Sequence, residues 1–173
     1  MHRQQLISQL QQNHQQFIAY INSLSDAQFM QTTNGKWTPG QQLEHILTSV
    51  KTLAQIVSNK TFIETRFGKI DREVWSYDET VSNYQTGLAN GGKAPAKFLP
   101  PAIELNQKQE LADSILHFEN QLLQSLGSYT DEELNTLVLP HPFLGKLTIN
   151  EMLYVITYHV LHHLEKTKEN LIL

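Results

Sequence analysis

The chain has 173 residues, a formal charge of −4 and no cysteine. The missing cysteines exclude disulfides, zinc–thiolate sites and a cysteine nucleophile, so any metal must be held by His, Asp, Glu or water. Lys and Arg are scattered without a basic run, which argues against a nucleic-acid partner.

The first helix is predicted from about Gln4 to Ser23, where Leu6, Leu10, Phe17, Ile18 and Ile21 keep one face apolar. Its opening, MHRQQLISQLQQNHQQ, lacks the apolar core of a signal peptide, and no later apolar run approaches a membrane span. A cytoplasmic protein with no membrane partner is the expectation. The second helix opens at WTPGQQLEHILTSVKTLAQIV, with Thr38 as N-cap, Pro39 at the first helical position and Gln41 closing a capping box. Ile46, Val50, Leu53 and Val57 form its inward stripe.

Roughly forty residues follow, from Thr61 to Glu104, far more than the ~2–8 of an ordinary bundle connection. A connection this long can cross the whole bundle, which lets the second and third helices run parallel. It carries Gly91–Gly92, Pro100–Pro101 and the aromatics Phe67, Trp75, Tyr77 and Tyr84. It reads as an ordered crossover lid with a short helix near Glu79–Leu88, its aromatics mainly packing. The third helix is predicted with Asn106 as cap, Gln109 three residues later and Gly127 as stop, burying Leu111, Ile115, Phe118 and Leu122. The fourth has Thr148 as cap and Glu151 as its box partner, with Ile149, Met152, Leu153, Ile156, Val160 and Leu164 inward. No segment shows sustained two-residue alternation. The fold class is all-α, a single four-helix-bundle domain over residues 1–173.

Three of the eight histidines fall within five residues of the fourth helix, in YHVLHHLEKTKENL. At 100° per residue, His159 and His163 lie within about 40° of each other on the flank of the apolar stripe. His162 falls toward the outer side with Val155 and Tyr158. Histidines four apart can grip one metal ion, but the intervening Val160, Leu161 and His162 supply no glutamate, so this is not an H-E-x-x-H zinc-protease helix. His45, beside Ser49, Thr52 and Ile56 at the edge of the second helix's inward face, is the best third ligand. Alone it reads as an ordinary hydrogen-bonded residue. Bundle metal sites are commonly assembled from ligands on facing helices. His2 and His14 are expected to face solvent, His117 to be structural, and His141 to be a loop residue within reach of the pocket mouth.

W-T-P-G-x-x-L-E-H-I (Trp37 to Ile46), H-P-x-L-G-x-L-T-x-x-E (His141 to Glu151) and the His159–His163 pair together resemble the DinB/YfiT-like metalloenzymes, closest to the broad DinB-like branch. The resemblance spans essentially the whole chain and implies an up-down-down-up bundle. The family's three histidine ligands carry over to His45, His159 and His163. It also implies thiol-dependent chemistry, since members with known activity are mostly S-transferases using bacillithiol or similar thiols, besides a mycothiol-dependent maleylpyruvate isomerase.

Three neutral imidazoles with an open position form a catalytic rather than a structural set, and zinc or nickel suits the ligand type. The expected function is a thiol-dependent S-transferase acting on a small-molecule substrate, with a low-molecular-weight thiol as cosubstrate. The alternatives are a hydrolase that activates water at the metal and a non-catalytic bundle that binds a small ligand or partner. Pairing as a homodimer is a further expectation.

Overall fold

A computed structural model describes residues 2–172. Helix α1 (Arg3–Ser23) is followed by the short α2 (Asp26–Phe29) and then by α3 (Pro39–Val57). The crossover holds α4 (Lys60–Arg66), α5 (Tyr77–Ala89) and a 3-10 turn at Ala96–Phe98. A second 3-10 turn, Leu105–Gln107, opens onto α6 (Lys108–Leu126). Then come α7 (Asp131–Thr136), strands β1 (Val138–His141) and β2 (Gly145–Thr148), and the long α8 (Ile149–Ile172). No helix among the described residues is long and apolar enough to cross a membrane.

Local chemistry sets these boundaries. The Thr38–Gln41 capping box forms, with Pro39 in the first turn of α3. Ser76 and Glu79 make the same reciprocal contacts at the start of α5, which is the short crossover helix expected near Glu79–Leu88. The cap expected at Asn106 does not form. Two residues earlier the Glu104 amide donates to Gln107 Oε1 at 2.8 Å, and α6 continues directly from the 3-10 turn. Gly127 ends α6 in right-handed geometry, so a left-handed glycine stop is not used there.

The β-hairpin was not expected from the sequence. Val138↔Thr148, Leu139↔Leu147, Pro140↔Lys146 and His141↔Gly145 pair antiparallel. Residues 142–144 connect them, and Gly145 takes the left-handed conformation (φ 73°) that such a three-residue connection favours. Four-residue strands containing a proline are too short to display alternation.

The core has two principal lobes. Leu6 and Leu10 of α1 meet Leu53 and Val57 of α3, Leu122 and Leu126 of α6, and Ile149 and Leu153 of α8. In the second lobe, Phe17 and Ile21 of α1 meet Leu43 and Val50 of α3, Leu111 and Ile115 of α6, and Val160 and Leu164 of α8. The inward stripes read from the sequence are therefore the core, except that Phe118 and Met152 are only half buried.

Glu151 does more than cap. It is fully buried, accepts from the Thr148 amide at 2.7 Å and the Trp75 amide at 2.7 Å, and takes both arms of the Arg72 guanidinium at 2.8 and 2.9 Å. Arg72 in turn stacks on the Trp75 ring. One carboxylate thus ties the crossover to the first turn of α8. Of the crossover aromatics, Phe67 and Tyr77 pack against the first core lobe, as expected, while Tyr84 lines the main cavity.

Candidate metal centre

Placing histidines at 159 and 163 stacks them on one face of α8, and His45 approaches from the second turn of α3. Their ligand atoms all lie within 4.8 Å of one another. His159 Nε2 sits 3.2 Å from His45 Nε2 and 2.9 Å from His163 Nε2. Metal–nitrogen bonds of ~2.0–2.1 Å separated by tetrahedral angles would put two nitrogens about 3.3 Å apart. These spacings are near that value.

The hydrogen bonds decide which nitrogens are free. His45 Nδ1 donates to the Phe98 carbonyl at 2.8 Å, and His163 Nδ1 donates to Gln42 Oε1 at 2.5 Å. Because both acceptors are oxygens without protons, each ring presents a lone pair at Nε2. His159 carries one proton when neutral and can satisfy at most one of the two lone pairs facing it. A cation at the convergence point resolves the conflict, so the donor set fits a metal ion.

Protonation states agree. Burial pushes His159 well below the usual histidine value, and the neighbouring His45 adds to the effect. His163 is lowered in the same way, first by burial and then by His159 and His45. Burial also lowers His45, opposed by its bond to the Phe98 carbonyl. Neutral imidazoles are the ligating form.

The triad borders a cavity of about 440 Å³. Ser49, Thr52 and Ile56, which share His45's flank of α3, line it, as do Tyr84 of α5 and Phe98 of the crossover. Trp37 lies over two of the three histidines, with ring centroids 5.0 Å from His45 and 6.1 Å from His163. His141 is at the end of β1 rather than in a loop, and it too lines the cavity. Its Nδ1 accepts from the Leu144 amide at 3.3 Å, and burial lowers its pKa to about 4. The ring is therefore neutral, with its proton on Nε2. Gly87 of α5 makes room for the hairpin beside it, since a Cβ there would come within 2.5 Å of the Phe143 ring.

Two placements correct the sequence reading. His162 is half buried and lines the cavity instead of facing outward, and Val155, on the same side of α8, is buried in a cluster with Tyr84 of α5. His14 is 1% exposed, not solvent-facing. Its Nδ1 meets Glu119 of α6 in a close contact, and its Nε2 is buried without a hydrogen-bond partner. The spacing carried that signal, since His14 follows Leu10 by four residues and Glu119 follows Ile115 by four. Both keep the stripe of their helix. His117 is exposed and bonds to Gln121.

Gln42 and the Phe98 carbonyl are the parts that sequence reasoning missed. Gln42 precedes His45 by three residues, so the two share a helix face, and it is buried. A backbone carbonyl 53 residues away leaves no such mark. No protein of curated function matches the sequence. Residues 9–166 match the sequence profile of the DinB superfamily, and the chain belongs to that superfamily.

Proposed function

We propose that this chain is a metal-dependent enzyme, a thiol-dependent S-transferase in which His45, His159 and His163 hold a zinc or nickel ion. The observation that carries the reading is the convergence of three neutral Nε2 atoms on one point beside a cavity large enough for a small molecule. We further infer that the whole chain is one DinB-like domain, a four-helix bundle in up-down-down-up order. The core supports this order: the start of α1 packs with the ends of α3 and α6 and with the start of α8.

Bound there, a divalent ion supplies the positive charge that keeps a small thiol deprotonated and nucleophilic at neutral pH. The protein's own residues do the rest. Gln42 and the Phe98 carbonyl fix the tautomer and angle of two ligands, as outer partners do in metal sites generally. Apolar walls, among them Leu53, Ile56 and Ile156, keep bulk water from the reacting atoms. No carboxylate lines the cavity among the described residues, so a water nucleophile would depend on a neutral histidine such as His162 as its base, whereas a thiol held as thiolate would need none. That favours the thiol over hydrolysis.

The test is metal content and conjugation. Protein purified without an affinity tag should carry about one zinc or nickel per chain, and His159→Ala should carry none. With added metal and a low-molecular-weight thiol, monochlorobimane should be conjugated in a metal-dependent manner. Metal-dependent ester cleavage without conjugation would favour the hydrolase. Failure of any metal to bind would leave a non-catalytic binding bundle.

A further inference from the structure

The walls of the cavity carry charge of one sign only. Lys93 and Lys97 line it, and no aspartate or glutamate does so among the described residues, although the chain as a whole has a formal charge of −4. Neither lysine is held in an ion pair among the described residues. Both are exposed on the crossover segment that also supplies Phe98.

The uncharged polar groups that share the cavity with these lysines point to the same ligand. His141 has its Nδ1 occupied by the hairpin amide, so its free nitrogen is an N–H donor and not an acceptor. Tyr84 is 5% exposed, lines the cavity, and its hydroxyl has no partner among the described residues. As a phenol it is a hydrogen-bond donor at physiological pH. Leu88, Phe143, Met152 and Ile156 are among the apolar residues of the lining. The cavity therefore pairs an apolar body with donors and cations, and offers no carboxylate to receive a ligand's positive charge.

We propose that the substrate is a small anionic molecule with an apolar body, of the aryl- or alkyl-carboxylate class, whose charged group is taken by Lys93 and Lys97 at the cavity mouth. This rests on the reading of the triad as the reacting end of the same cavity. A ligand so held projects its apolar body toward His159, with His141 Nε2–H and the Tyr84 hydroxyl available to its remaining oxygen atoms.

The experiment is calorimetric titration of the full chain with 4-phenylbutyrate and with its uncharged counterpart 4-phenylbutanamide. It is run on chelator-stripped protein and again after one equivalent of zinc chloride. The acid should bind about five- to tenfold more tightly than the amide in both states, the amount expected of two exposed ion pairs. The preference should shrink in high salt and vanish in Lys93→Gln/Lys97→Gln, with amide affinity unchanged. Equal binding of acid and amide overturns the proposal, as does binding of neither. A preference that survives in the double variant, or that appears only with zinc, overturns it too. Zinc stoichiometry from the same samples reports separately on the triad: protein that prefers the acid but binds no zinc refutes the metal reading alone.

Discussion

His14 is more deeply buried than any histidine of the triad, yet its surroundings are of another kind. On α1 it lies in the apolar stripe between Leu10 and Phe17, and its polar partner is the buried carboxylate of Glu119. On α8, His159 and His163 meet other imidazoles, whose outer nitrogens are engaged by neutral oxygens, and a cavity opens beside them. The cavity that His159 lines does not include His14. Burial is thus a poor guide to a histidine's task. What separates the two clusters is that His14 is paired with a carboxylate and borders no such cavity, whereas the triad turns three Nε2 atoms toward one another beside one.

Four experiments can break or sharpen that contrast. Removing the carboxylate from the α1–α6 pair should cost the most: Glu119→Ala should lower unfolding free energy by about 3–5 kcal/mol, the usual penalty for stripping one member of a buried pair. Its zinc affinity should remain that of the parent. Denaturant melts and zinc titration on one sample decide this, and loss of zinc binding in a folded variant would erase the distinction between the clusters. Next, Gln42→Ala should weaken zinc binding by about 10–100-fold while leaving one site per chain, because it releases the orientation of His163 without removing a ligand.

The third is a pH effect. His141 has a folded pKa of about 4 against an ordinary value of 6.5, so the unfolded chain takes up its proton first. Its contribution to stability is intact above about pH 6.5 and is lost as the pH falls toward 4. The histidines of the triad act in the same direction in metal-free protein. His141→Gln should therefore lose less stability than the parent between pH 7 and 4.5 in metal-free denaturant titrations, and parallel curves would remove the effect. The smallest change is expected of His162→Ala. That residue lines the cavity but stands outside the converging trio, so zinc stoichiometry should not move.

Much of this architecture could be read before any coordinates. The four long helices, the stripes that face inward and the capping boxes at Thr38–Gln41 and Thr148–Glu151 follow from apolar spacing and short polar signals, which act locally. Bringing His45 to the pair on α8 also needed only helix geometry and the family resemblance. What lay beyond reach was whatever depends on the crossover's path. The Phe98 carbonyl on His45, the Arg72–Trp75 clasp on Glu151 and the packing of α5 against Val155 and Tyr158 join segments with no periodic relation. His14 differs in kind. A polar residue that keeps the apolar spacing reads as a surface residue from its own helix alone, and the matching polar residue in the stripe of α6, Glu119, is the clue that the two pair.

The bond from His45 to Phe98 has one more implication. The acceptor is main chain, so it is the same whichever side chain stands at position 98, while side chains of the same segment form the cavity mouth. Divergent descendants of this protein could thus exchange residues 93–98 to suit new ligands without disturbing the ring they support. A scaffold wired in this way keeps its histidine cluster constant while the lining of the cavity beside it is free to change.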